Sequence, residues 1–229
     1  MKRYKQWLLL GIAIVLTACT SKNQFEIEGT LVNIPDGEMV YLNKVDENHA
    51  DELIKLDSVV VKNEGFKFAG KAEYPTLGYL SFRNHKGRIP LFIESGKTQV
   101  HMDLSNFTSF DLKGTLNNEM LSEFERNLSL YKYSLLSYQG EQQSVYMEAM
   151  KQKDEAKMQQ ILQKYKKMQE DQQVFIANYL EQNEASLTAL YYLYYTSKDD
   201  FSPLKRVYDN LSETDKKSNL AQLAVEKMK

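Results

Sequence analysis

From residue 24 to residue 114, apolar residues recur at every second position. Phe25, Ile27 and Gly29 alternate with Glu26 and Glu28. The pairs Val40/Leu42, Val59/Val61, Phe66/Phe68, Leu80/Phe82, Leu91/Ile93 and Val100/Met102 repeat the pattern. A period of two turns one side of each strand to a core and the other to water. The runs are short, and Pro35-Asp36-Gly37, Asn63-Glu64-Gly65, Asn84 to Gly87 and Ser95-Gly96 break them with residues that turn a chain. About eight short strands at this spacing predict antiparallel sheet, most simply a sandwich, otherwise an open barrel.

Past Gly114 the period becomes three to four, and Gly140 is the only later glycine. Residues 115–138 and 141–153 predict two helices, and Asp154 is a natural N-cap for the next. In residues 154–182, Met158, Ile161, Leu162, Tyr165, Met168, Phe175, Ile176, Tyr179 and Leu180 follow steps of three and four and define one stripe. That stripe suits packing within the chain, with a dimer seam as the alternative. Residues 184–196 predict a further helix dense in tyrosine. Pro203, after a capping Ser202, opens one over 203–210, and residues 218–228 form the last. Strands first and helices second, without alternation, predict the α+β class. The expected architecture is an N-terminal antiparallel β-sandwich over residues 24–114 and a C-terminal all-helical region over 115–229.

The N-terminus has its own pattern. Lys2, Arg3 and Lys5 come with no acid, and residues 7–18 are an apolar run. That run is shorter than the roughly 20 residues of a spanning helix. A basic start, a short apolar core and small residues at its end mark a secretory signal. Leu16-Thr17-Ala18-Cys19 resembles the bacterial lipobox, in which the Cys thiol is alkylated by a diacylglycerol and the preceding bond is cut. The expectation is a signal peptide over 1–18, then a lipidated Cys19 and a polar tether through residue 23. An uncleaved anchor with an incidental cysteine is the alternative. Each buried methylene contributes about 0.8 kcal/mol, so two or three acyl chains hold a protein on a membrane.

Charge and cysteine count narrow the chemistry. Removing Lys2, Arg3 and Lys5 from 29 basic residues leaves 26 against 31 acidic ones, a balance near −5. That argues against nucleic acid as a partner. Cys19 is the one cysteine; once acylated it leaves no disulfide, no redox pair and no thiol nucleophile. His49, His85 and His101 stand apart, the first two in expected loops and the third on a strand, so neither a metal nor another cofactor is expected. Asp46-Glu47, Asp51-Glu52 and Asp199-Asp200 suit solvated loops, and Gly29, Gly37, Gly65 and Gly70 suit turns or bulges. No Gly-x-Ser-x-Gly elbow occurs. Tyr191, Tyr192, Tyr194 and Tyr195 form the densest local cluster. Four tyrosines within five helical positions cannot face one way. They suit helix packing, or a surface that binds a glycan or a protein.

The β region also carries a resemblance. Phe25-Glu26-Ile27-Glu28-Gly29-Thr30-Leu31, Asp36-Gly37-Glu38-Met39-Val40-Tyr41-Leu42, Leu56-Asp57-Ser58-Val59-Val60-Val61, Gly65-Phe66-Lys67-Phe68-Ala69-Gly70 and Leu91-Phe92-Ile93-Glu94-Ser95-Gly96 follow in that order. Residues 24–113 thus resemble the domain of unknown function at the N-terminus of many Bacteroidota lipoproteins, usually ahead of a thioredoxin-like domain. The resemblance implies that a helical segment follows and that a thioredoxin-like domain, with a Trp-Cys-x-x-Cys redox motif within it, would begin near Lys229. No second cysteine is present to supply that motif, and the family's β domain brings no catalytic residues with it. Gly29, Asp57, Gly65, Phe66 and Gly96 carry the likeness as fold residues. The expected function is a non-catalytic binding or scaffold lipoprotein of the cell envelope, on the periplasmic face of the outer membrane, with an envelope protein as its partner. The alternative is the accessory or front half of a thiol-disulfide oxidoreductase, working with a thioredoxin-like protein. A hydrolase with a dispersed site is a third reading.

Overall fold

The computed structural model describes residues 23–47, 49, 51–103, 105 and 110–229. The expected signal peptide, the Leu16-Thr17-Ala18 lipobox, Cys19 and all of the tether but Asn23 lie outside the described residues. The strands are β1 (Gln24–Val32), β2 (Met39–Val45), β3 (Leu53–Val60), β4 (Gly65–Lys71), β5 (Thr76–Phe82), β6 (His85–Ile93), β7 (Gly96–Asp103) and β8 (Phe110–Lys113). The helices are α1 (Leu116–Gln152), α2 (Glu155–Gln182), α3 (Leu187–Thr196), α4 (Ser202–Asn210) and α5 (Asn219–Lys227). The class is α+β, strands then helices, as the hydrophobic pattern predicts.

The strands form two four-stranded sheets, β4-β1-β7-β8 and β3-β2-β5-β6. All pairs are antiparallel except β1 with β7, where Phe25 to Val32 run alongside Gly96 to Asp103. Periodicity does not carry strand direction. A parallel neighbour needs a long return connection, and here the return passes through the whole second sheet. His85 is the first residue of β6, not a loop residue, because the β5–β6 turn is tightened to Arg83 and Asn84. Gly29 and Gly70 lie inside strands rather than at turns. Gly29 pairs with Phe66 and Gly70 with Phe25, and each phenyl ring occupies the space a Cβ would need.

Within the second sheet, β5 and β6 are buried on both sides, while the edge strand β3 stays largely exposed. Val40, Leu42, Leu80 and Phe82 share one face, while Leu77, Tyr79 and Phe92 share the other, and all are buried. The second face is covered by α3, α4 and α5, and one continuous core joins sheet residues such as Leu77 and Leu80 to Leu190, Leu204 and Leu220. The stack is sheet, sheet, helices. A strand covered on both faces loses its alternation, which is why Ile89 to Ile93 is an unbroken apolar run. The outer face of the first sheet stays wet. There Lys97 and Lys67 bracket Glu26 and Glu28 and hold the Glu28 carboxyl down to about 2. Exposed pairs of this kind add little to stability.

The first two turns of α1 close one side of the sandwich. Asn118 Oδ1 accepts from the Phe92 N–H and its Nδ2 donates to the Phe92 carbonyl, both at 2.8 Å. The side chain therefore completes the free ladder groups of β6, an edge strand. Ser122 Oγ accepts from Leu112 N–H at 3.0 Å on β8, the edge of the other sheet, and Leu121 is fully buried nearby. A sheet edge left open invites pairing with another chain; these side chains blunt two of them.

Glu94 sits beside this joint, 9 % exposed. Its Oε2 accepts from Asn117 Nδ2 at 2.6 Å, while Oε1 has no hydrogen-bond partner among the described residues. Burial raises its carboxyl above the ordinary value, and the Asn117 bond offsets this in part. A raised folded-state value means the fold holds this proton more tightly than the unfolded chain does. The contribution is fully present below the unfolded value near 4.5 and is lost as pH rises through the folded one. The unfolding midpoint in urea of the native chain should therefore rise, relative to Glu94→Gln, as pH falls from 8 toward 5. A gap between the two that stays constant with pH would contradict this.

Beyond the sandwich, α1 and α2 form an antiparallel hairpin. A single helix runs where two were expected, since Gly140 at mid-helix costs only about 1 kcal/mol relative to Ala and the packed seam continues past it. The seam on α1 is Leu121, Phe124, Leu128, Tyr131, Leu135, Tyr138, Gln142, Val145 and Ala149, in strict steps of three and four. The α2 stripe of Met158, Ile161, Tyr165, Met168, Gln172, Phe175 and Tyr179 meets it, with Phe124 4.5 Å from Tyr179 and 5.9 Å from Phe175 between ring centroids. The stripe thus packs within the chain. Asp154 caps α2 by accepting from Lys157 N–H at 3.0 Å. At α4 the cap position is Phe201 rather than Ser202; Ser202 is the first helical residue, and its N–H is satisfied by Asp200 Oδ1.

Candidate functional site

A hollow of varied chemistry lies where β5 and β6, α1 and α3 converge. It is a cleft of about 380 Å³ lined by Tyr79, Arg88, Pro90, Phe110, Glu125, Ser129, Lys132, Tyr191 and Tyr195. Strand alternation turns Tyr79 toward the helices. The Arg88 guanidinium on β6 lies over its ring, 4.7 Å from the centroid. On α1, Glu125, Ser129 and Lys132 are four and three residues apart and line one wall. On α3, Tyr191 and Tyr195 are an i, i+4 pair on the opposite wall, edge to face with centroids 5.2 Å apart. The Tyr79 and Tyr195 hydroxyls meet at 3.4 Å across the cleft.

The four clustered tyrosines therefore divide. Tyr191 and Tyr195 face the cleft. Tyr192 turns the other way and packs edge-on to Phe124, centroids 5.3 Å apart, in the base of the α1–α2 hairpin. Tyr194 packs against α5, where Lys227 Nζ lies 4.9 Å from its ring and donates to its carbonyl oxygen. A helical step of 100° per residue requires such a division.

Burial pushes the hydroxyls of Tyr79, Tyr191 and Tyr195 well above the ordinary tyrosine value, so they remain neutral donors and acceptors at any physiological pH. Glu125 is raised by burial as well, with the Lys132 charge pulling it back. The cleft thus offers two or three aromatic faces, neutral hydroxyls, a guanidinium, an ammonium and a carboxylate on one small surface. Aromatic walls with a few fixed polar groups suit holding and orienting a polar molecule.

The other candidate residues do not gather. His49 Nδ1 is 3.8 Å from Asp46 Oδ1 on a loop. His85 is edge-on to Phe82 at 6.3 Å, and His101 lies on β7 between Thr30 and Asp111. No group of three or more His, Cys, Asp or Glu suited to a metal ion occurs among the described residues. Asp57 accepts from the Ser58 N–H at 2.7 Å, the local backbone bond expected of it. Reading the sequence finds Tyr191 and Tyr195 but misses Tyr79, Arg88, Glu125 and Lys132. The polar i, i+4, i+7 set of Glu125, Ser129 and Lys132 beside an apolar seam is the one available signal, and many solvated helix faces share it.

Residues 25–121 match the family described as Domain of unknown function (DUF4369), a span of under half the chain. No curated protein matches the chain. The match runs past Gly114 into α1 and ends at Leu121, within the two turns where Asn118 and Ser122 complete the sheet edges. No described helix is long and apolar enough to cross a membrane.

Proposed function

We propose that this chain is a lipid-tethered, non-catalytic binding module of the cell envelope, held through Cys19 and presenting the cleft between its sandwich and helices to a polar ligand or a segment of a partner protein. The observation that carries the binding role is the convergence of Tyr79, Tyr191, Tyr195, Arg88, Glu125 and Lys132 from four elements on one hollow. The tether supports the location. Basic residues, a short apolar run and Leu16-Thr17-Ala18-Cys19 suit lipid attachment, and the polar stretch after it lacks an acidic run, which favours the periplasmic face of the outer membrane.

The one tryptophan, Trp7, lies in the expected signal peptide, so the mature chain would report binding through tyrosine fluorescence alone. Titration with a panel of oligosaccharides and short peptides is expected to give a saturable change for one class. Tyr195→Ala and Arg88→Ala should each weaken it by about tenfold or more. Saturation that survives both substitutions, or none with any member, would refute the cleft as the binding site. Labelled palmitate should enter the native chain and not Cys19→Ser.

The second reading is an accessory to a separate thioredoxin-like protein. It is favoured by the resemblance of residues 24–113 and by the single cysteine, which leaves redox chemistry to a partner. A dithiol protein whose disulfide exchange rate changes on adding the purified chain would support it.

A further inference from the structure

The charges that line the cleft do not cancel. Tyr79 and Pro90 are cross-strand partners, and Arg88 stands two residues before Pro90 on the same face of β6. The Tyr79 ring under its guanidinium fixes where that cation sits. Arg88 makes no ion pair and no hydrogen bond with another described residue, so its fork of N–H donors is left to water or a ligand. Its charge is felt at the hydroxyls of Tyr79, Tyr191 and Tyr195, where it opposes the upward push of burial. On the α1 wall, Lys132 and Glu125 offset one another, since the ammonium draws the carboxyl back toward its ordinary value. Asp51 is felt at Tyr195 but is not part of the lining. With Lys132 and Glu125 set against each other, Arg88 is the one charge in the lining without a counterpart.

A single unmatched guanidinium suits a ligand with a single negative charge. Its planar fork fits a carboxylate through two parallel hydrogen bonds. A phosphate fits less well. The α1 and α3 residues of the lining come from the body of each helix and not from its first turn, so no free helix N–H groups face the hollow, and Pro90 has no N–H to give. The Glu125 carboxyl would also repel a second negative charge. The remaining groups suit hydroxyls. Glu125 is an acceptor, and Ser129 is both donor and acceptor. Tyr195, 45 % exposed, offers a ring against which the C–H face of a sugar can lie. A volume of about 380 Å³ is at the small end of ligand pockets, so the recognised unit is small. A carboxylate, several hydroxyls and an apolar C–H face occur together in a sugar acid.

We propose that the cleft recognises a sugar acid such as a uronate, with the carboxylate on Arg88, hydroxyls on Glu125 and Ser129, and a C–H face against Tyr195. The inference rests on the cleft being the binding site and names the ligand class for it.

Calorimetric titration of the purified chain with methyl glucuronoside, methyl glucoside and acetyl-alanyl-alanine separates the alternatives. The glucuronoside should bind at least about tenfold more tightly than the neutral glucoside, the effect of one charge-assisted fork. Arg88→Gln should bring the acid down to the level of the glucoside and leave the glucoside unchanged. Tyr195→Ala should weaken both sugars alike. Glu125→Gln, which keeps an acceptor and removes the charge, should tighten the acid by about twofold to fivefold; a ligand that sets an ammonium on Glu125 would respond in reverse. Circular dichroism checks that each variant is folded. Equal affinity for acid and glucoside, weaker acid binding in Glu125→Gln, or no saturation by the glucuronoside up to about 50 mM, would overturn the sugar-acid assignment. If the dipeptide or the glucoside saturates instead and Tyr195→Ala abolishes it, the assignment falls and the cleft remains the binding site. If glucuronoside binding survives both Arg88→Gln and Tyr195→Ala, the cleft falls with it.

Discussion

Asn219→Ala should cost about 3–5 kcal/mol, a large share of the stability of the fold. Asn219 is 4 % exposed at the start of α5. Its Oδ1 accepts from Leu77 N–H at 2.6 Å, and its Nδ2 donates to the carbonyls of Leu77 at 3.0 Å and Val45 at 3.1 Å. The β2–β5 ladder ends at Lys44 and Gly78. The side-chain amide takes up the ladder one step further and ties the last helix to the middle of a buried sheet. Truncation orphans three backbone groups away from water, at about 1–3 kcal/mol each before relaxation, in a fold whose total margin is about 5–15 kcal/mol. Urea denaturation followed by circular dichroism gives the number. Asn219→Asp should be no better, since a carboxylate would face two carbonyl oxygens. A loss under about 1 kcal/mol for Ala would show that water or a backbone shift replaces the amide.

Gly114→Ala is expected to be nearly as damaging, by about 3 kcal/mol or more. Gly114 joins β8 to α1 at φ +101°, a conformation that L side chains rarely adopt. An added Cβ would also fall against the Lys97 carbonyl oxygen on β7, well inside contact distance. That atom belongs to a paired strand and cannot move cheaply. The N–H of Gly114 donates to Glu119 Oε1 at 2.8 Å, so a shifted chain would lose the bond that steers it into the helix. Thermal melts of Gly114→Ala and of Gly140→Ala, as control, should diverge. The control meets open space and should lose nothing.

These two residues differ in how visible they are. Gly114 is legible in the sequence because strand periodicity stops there and helical periodicity begins. Asn219 is not, because an asparagine after a serine reads as an ordinary helix start. The same holds for Asn118, an unremarked residue in the first turn of α1 that completes an edge strand. Asparagine mimics a peptide group, and only the placement of a strand opposite decides whether that matters. The cleft shows the same split. Tyr191 and Tyr195 stand out in a run of tyrosines, while Tyr79 and Arg88 are separated from them by more than 100 residues and look like routine strand positions. The double burial of β5 and β6 was likewise hidden, because a strand pattern does not say what covers its second face.

By itself, then, the sequence of this protein determined the order and type of its elements, the stripe on α2, the cap at Asp154 and the change of regime at Gly114. Each of these rests on neighbours within a few residues, where backbone geometry and side-chain spacing act directly. It also determined that one cysteine, Cys19, is all the thiol chemistry the chain possesses. Tertiary structure alone decided the parallel pairing of β1 with β7, the third layer of helices on the second sheet, the two asparagine pegs and the cleft. These depend on contacts between residues far apart in the chain, whose geometry is set by which surfaces can be buried together and not by any local period.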